Sequence, residues 1–131
     1  MSINKVLAQH LGKIKDAIVT YGVKVTILRD IYENESGVRV LKQSGVPITV
    51  VDMVLDNSSD RVEEASTALT GIEKPYLSAK MYYAYTPTID IRYGDYFEYQ
   101  GLIYQLDIPA NLANADLVYQ VNVKGAMKDG R

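Results

Sequence analysis

Four aromatic residues and two acids crowd into GDYFEYQGLIYQL, Gly94 to Leu106. Aromatic rings on paired strands are one means of holding bases or sugars by stacking. Stacking platforms for single-stranded nucleic acid also need a basic groove along the backbone. Here the aromatic strands carry Asp90, Asp95, Glu98 and Asp107 against Lys80 and Arg92, the wrong sign for that purpose. The remaining chemistry-bearing residues are sparse. His10 is the one histidine, and no Ser-His-Asp arrangement can be assembled around it. Neither the phosphate-cradling G-x-x-x-x-G-K-[ST] nor G-x-G-x-x-G occurs. Asp52, Asp56 and Asp60 are spaced by four, but across a predicted strand end and turn, so their carboxylates need not converge. Glu63-Glu64 is most simply a solvated helix face. There is no cysteine, hence neither a disulfide framework nor a thiolate zinc site. The expectation is a chain with no catalytic, cofactor-binding or metal site, and not an enzyme.

The hairpin reading explains the aromatics without a ligand. A two-residue turn at Gln100-Gly101 uses the glycine for positive φ. Tyr99 then faces Leu102, Phe97 faces Tyr104 and Asp95 faces Leu106, all on one side. Glu98 faces Ile103 and Tyr96 faces Gln105 on the other. The first side, aromatic against aliphatic, packs on a core. Gly94-Asp95 is the bend that starts the first strand. Eleven tyrosines against one phenylalanine and no tryptophan suit half-buried sites and subunit interfaces, where the ring packs and the hydroxyl stays hydrogen-bonded.

The rest of the chain must position this hairpin. At 131 residues, 47% hydrophobic and 23% charged, one soluble domain over 1–131 is expected. Net charge is −2, which argues against a protein that grips nucleic acid by its phosphates. No signal-peptide layout or membrane span is present, so a cytoplasmic product is expected, unless it leaves within a larger particle. Residues 2–21 form a predicted amphipathic helix. Ser2 is its N-cap, Ile3, Leu7, Leu11, Ile14 and Ile18 its stripe, and Val6, Ala17 and Tyr21 widen that stripe. Gly22 is expected to end it in the left-handed conformation. Over 23–55 the period changes to two. Turns at Glu33–Gly37 and Ser44-Gly45 divide a predicted three-stranded meander, and Pro47 marks a strand start or edge. Residues 56–77 lack strand character and read as a long inter-strand loop with one short helix, Asp60 and Glu63 supplying a capping box. Strands resume over 78–125. In the last of them Leu117, Tyr119, Val121 and Val123 face inward, and Val118, Gln120, Asn122 and Lys124 face water. The predicted fold is mainly β, a small antiparallel β-barrel with an N-terminal amphipathic helix and a long inter-strand loop.

The phrase IRYGDYFEYQGLIYQL (Ile91 to Leu106), followed by one last strand, resembles the head-completion proteins of tailed bacteriophages. Gly94, Asp95, Tyr99, Gly101, Tyr104 and Leu106 match the hairpin pattern common in that group. The likeness covers the C-terminal third; the rest agrees by architecture, and the N-terminal helix departs from stopper relatives that begin in strands. The resemblance implies a stopper-like head-tail connector at the neck of the virion. It would be made in the host cytoplasm and would join the portal-side connector to tail proteins. It further implies a homo-oligomeric ring, hexamer or dodecamer, around the DNA channel, with no cofactor and no membrane. The inter-strand loop would reach the channel, placing Asp56, Asp60, Arg61, Glu63, Glu64, Glu73 and Lys74 there. Their net negative charge suits a conduit through which DNA passes without sequence-specific binding. A tail terminator, a baseplate adaptor and a small β-barrel ligand-binding module stand as alternatives.

Overall fold

Period-two alternation dominates the chain after residue 22, and the computed structural model is correspondingly rich in strands. It describes residues 3–67 and 72–127, with side chains over 6–56 and 77–127. In chain order the elements are α1 (Ile3–Tyr21), β1 (Val23–Glu35), β2 (Val38–Thr67), β3 (Ile72–Ala84), β4 (Tyr96–Tyr99), β5 (Leu102–Leu106), β6 (Ala110–Asn111) and β7 (Val118–Met127). A short 3-10 turn at Leu112–Asn114 precedes β7. The Ser2 cap expected for the helix lies outside the described residues.

All strand pairings are antiparallel. Neighbours run β3-β2-β1-β4-β5-β7, and β7 pairs back onto β3, so six strands close into a hydrogen-bonded circuit with β6 on the outside. The thinnest seam is β1 to β4, joined at the single position Leu28↔Tyr96. Inside sit Val25, Ile27, Val51, Met53, Ala79, Met81, Tyr83, Phe97, Tyr104, Leu106, Val121 and Val123, all buried. Every strand of the circuit contributes to that core, as alternation requires. A second, smaller cluster lies under α1, where Leu11 and Ile18 meet Ala84 and Val118. Val118 was expected on the wet face of its strand. It is fully buried instead, because the helix covers that end of β7.

Three further expectations are corrected. The meander over 23–55 has two strands, not three. Ser44-Gly45 is a bulge within β2, where Arg29↔Val46 gives way to Ile31↔Gln43 and Gly45 takes φ +68°. Gly22 is not left-handed. It is glycine because a Cβ there would lie 2.4 Å from the Ile18 carbonyl oxygen and 2.7 Å from that of Met53. Finally, the loop or short helix expected over 56–77 is replaced by strand on both sides of residues 68–71, which lie outside the described residues. After a shift between Asp56 and Arg61, β2 and β3 pair again from Arg61↔Ser78 to Thr67↔Ile72. A register already set lower in the sheet continues outward, overriding weak local propensity. Pro47 is an edge residue as expected: β2 pairs with β3 only from Met53 onward.

Candidate interaction surface

The hairpin forms in the register its turn dictates. Gln100 (φ 50°) and Gly101 (φ 81°) are both left-handed, the backbone that a two-residue turn needs to match strand twist. Tyr96 pairs with Gln105, Phe97 with Tyr104, Glu98 with Ile103 and Tyr99 with Leu102. Gly94 (φ 91°) makes the opening bend, and Asp95 and Leu106 are joined through the Leu106 N–H donating to the Asp95 carbonyl at 2.8 Å. Phe97, Tyr104 and Leu106 are buried, with the Phe97 and Tyr104 rings stacked 5.2 Å apart. Tyr99 packs against them at the margin. These rings are core, and their faces are closed to a ligand.

Asp95 shares that inward side, 2% exposed. A carboxylate there is costly without compensation. Arg29 of β1 compensates with a two-pronged contact, Nε to Oδ1 at 2.8 Å and Nη2 to Oδ2 at 2.9 Å, the geometry a planar guanidinium favours. The Arg92 N–H donates to Oδ2 at 2.9 Å, and Arg29 also donates to the Asp90 carbonyl. The Asp95 hydrogen bonds and charge raise the Arg29 pKa against the opposing effect of burial. Next along β1, Asp30 accepts from the Tyr96 hydroxyl (2.7 Å), the Gly45 N–H (3.0 Å) and Ser44 Oγ (3.2 Å). The Tyr96 bond, then the Gly45 bond, hold its carboxyl below the usual range. Burial and then the bond to Asp30 push the Tyr96 phenol up. Arg29 and Asp30 pin β1 to the hairpin where strand pairing is thinnest. Neither stood out in the sequence. A charged pair set between apolar neighbours, Ile27-Leu28 before it and Ile31-Tyr32 after it, was the available signal.

An open cleft of about 840 Å³ lies above these residues, between the β1–β2 tip and the Tyr93-Gly94 turn. Tyr93, 73% exposed, and Arg39, stacked over the Tyr32 ring at 4.2 Å, are among its walls. Arg29 and Asp30 on its floor are committed to partners within the chain. His10 is exposed on α1, remote in sequence from this cleft. Among the described residues no group of three or more His, Asp or Glu gathers as a metal-holding set.

Of the residues expected to line a channel, Asp56 lies on β2 opposite Lys80. The side chains of Asp60, Arg61, Glu63, Glu64, Glu73 and Lys74 lie outside the described residues; their backbones belong to the outer β2–β3 ribbon. β3 leaves β7 at Leu77↔Gly125. Beyond that point 63–67 and 72–76 pair only with each other among the described residues. A matching ribbon occupies the other end of β2, where 31–35 pair with 38–43 past the β4 seam. Apolar residues also remain in water: Leu7, Ile14 and Tyr21 on α1 are 44%, 41% and 85% exposed. No described helix is long and apolar enough to cross a membrane.

No protein-family model matches this chain, and no curated protein matches it either.

Proposed function

We propose that this chain is a structural component of a tailed-bacteriophage particle, a ring-forming adaptor at the head-tail neck. It would join the portal-side connector to the tail and surround the DNA channel, with a tail terminator or baseplate adaptor as the nearest variants. The observation that carries this reading is the β2–β3 ribbon. Two paired strands continue past the closed sheet, and among the described residues no third strand joins them. An isolated two-stranded ribbon is marginal in water, and its open edges invite pairing with another chain. Such a ribbon has a natural use where a neighbour covers it. The segment's surplus of acid, Asp56, Asp60, Glu63, Glu64 and Glu73 against Arg61 and Lys74, suits a passage that repels the DNA backbone. This reading gives the chain no catalytic step.

A small-ligand module is the competing reading, favoured by the cleft beside Tyr93. Against it, Arg29 and Asp30 on the cleft floor are already bonded to Asp95 and Tyr96, so neither is available to fix a ligand. Light scattering across a concentration series, with negative-stain imaging of the same sample, decides between them. Oligomers with a central hole are expected. A monomer at every concentration that binds small ligands at the cleft would overturn the adaptor reading.

A further inference from the structure

Two open strand edges lie at the β1–β2 tip. Residues 31–35 of β1 pair there with 38–43 of β2, and Tyr32–Glu35 matches Val38–Leu41 without a break. Past Leu28↔Tyr96, β1 has no neighbour on its other side among the described residues, and β2 meets β3 only from Met53 onward. Each strand therefore turns a row of backbone N–H and C=O groups to solvent, a template for a further strand. Native edges are often blunted by proline or a bulge. On β2 the Gly45 bulge and Pro47 confine the usable edge to 38–43. β1 has no proline at its tip. Large apolar side chains remain in water here: Val38, Leu41 and Tyr32 are 61%, 47% and 42% exposed.

Charge and strand direction select what covers these edges. Over 31–35, β1 carries Glu33 and Glu35 and no base; over 38–43, β2 carries Arg39 and Lys42 and no acid. Pairing β1 with β1 of another copy, or β2 with β2, sets like charges side by side, which is destabilising. Pairing the β1 edge of one copy with the β2 edge of the next sets opposite charges together. Lys42 is ion-paired with Glu35 of its own ribbon, so it shares a face with that acid. Glu33, two residues from Glu35, points to the same face. It is exposed and has no ion pair among the described residues. An ammonium has three donors, so a neighbour's Lys42 can take Glu33 while keeping its own Glu35. Direction agrees as well. β1 and β2 are antiparallel, so copies related by rotation about an axis along the ribbon place β2 of one antiparallel to β1 of the next. Such a head-to-tail contact repeats and closes into a ring. Room exists for the added strand. The cleft of about 840 Å³ is lined by consecutive β1 residues, Arg29 to Asn34. Successive side chains of a strand point to opposite faces, so an opening that touches them all runs along the edge.

We propose that the β1 edge of one copy accepts the β2 edge of the next as an added strand, residues 31–35 beside 38–43. This rests on the adaptor reading and gives its ring a strand-to-strand contact beside the cover assigned to the β2–β3 ribbon. Two full-length variants, Glu33→Lys and Lys42→Glu, test it, with mass read by light scattering. Each alone is expected to raise the concentration at half-assembly by about tenfold or more. Mixed in equal amounts they are expected to reassemble. The new base of one then meets the new acid of the other, the remaining junctions keep the native pair, and a hexamer or dodecamer accommodates the alternation. Hydrogen exchange on the wild-type chain gives a readout independent of charge. Alternate amides of 31–35 and 38–43, those turned away from the partner strand, are expected to exchange more slowly in the assembled protein than in the dilute one. Rings in which these amides exchange as fast as in the dilute chain would overturn this contact while leaving the adaptor reading standing. So would charge variants that assemble as the parent does, or that fail to rescue one another. A wild-type chain that stays monomeric throughout would overturn both.

Discussion

Asp95 shows how far a single residue can be read from its strand position. Alternation from the Gln100-Gly101 turn places it beside Phe97, Tyr104 and Leu106, facing the core, and there it lies. What alternation does not supply is its partner. Arg29 is 66 positions earlier, and nothing local to either residue links them. The pair is worth testing because its two members differ in exposure, Asp95 at 2% and Arg29 at 17%. Removing one partner of a buried pair typically costs 3–5 kcal/mol, since the other charge is left uncompensated. With the Arg29 side chain partly exposed, Arg29→Met is expected to cost about 3 kcal/mol, near the low end of that range. Arg29→Lys should recover only part of it, because an ammonium cannot span both carboxylate oxygens. The double change Arg29→Met/Asp95→Leu should be less damaging than Arg29→Met alone. Urea unfolding measures all three. A loss below about 1 kcal/mol for Arg29→Met would class the contact with solvent-screened surface pairs.

At the scale of elements, legibility followed how local the determining contacts are. The β4–β5 hairpin was readable to the residue because a two-residue turn sets its own register. The helix was readable from its 3.6-residue stripe. The outer ribbon was not, because Asn57-Ser58-Ser59-Asp60 and the acids that follow favour turns and caps, and only pairing begun between Met53 and Tyr83 carries the strands outward. Gly125 belongs with the unreadable features. It looks like a strand end in the sequence, yet it lies opposite Tyr104 across β5 and β7. A Cβ at that position would sit 2.6 Å from Tyr104 Cε1 and 2.9 Å from Cδ1. The ring is itself stacked on Phe97 inside the core and has nowhere to retreat. Gly125→Ala is therefore expected to destabilise by about 1–3 kcal/mol, the usual cost of overpacking. Gly12→Ala, at a helical site with nothing within 4 Å, is expected to do the opposite and stabilise by up to about 1 kcal/mol. Thermal unfolding of the two variants beside the parent distinguishes crowding from backbone entropy by sign alone. A neutral or stabilising Gly125→Ala would mean the Tyr104 ring is free to move.

At the scale of the molecule, β2 is the organising element. Strands commonly span 3–10 residues, whereas β2 runs for 30, far beyond what the closed sheet needs. Its middle builds the core with Val51 and Met53, and its two ends form ribbons that the sheet does not cover. Among the described residues the buried members of the main cluster, from Val25 to Val123, belong to the strands of the closed sheet. Replacing residues 58–74 by an Asn-Gly turn should therefore leave the closed sheet folded. Asp56 and Lys80 would stay register partners, with Asn57, the new turn and residues 75–79 connecting them. The expected change in unfolding free energy is within about 1 kcal/mol, as for surface changes away from packed features. Oligomer formation, by contrast, should be lost, because the ribbon is the part assigned to the neighbour. Urea unfolding and light scattering on the same variant separate the two effects. A shortened chain that unfolds would make the ribbon a part of the fold. A shortened chain that folds and still forms rings would move the assembly surface elsewhere, with the β1–β2 tip the next place to look.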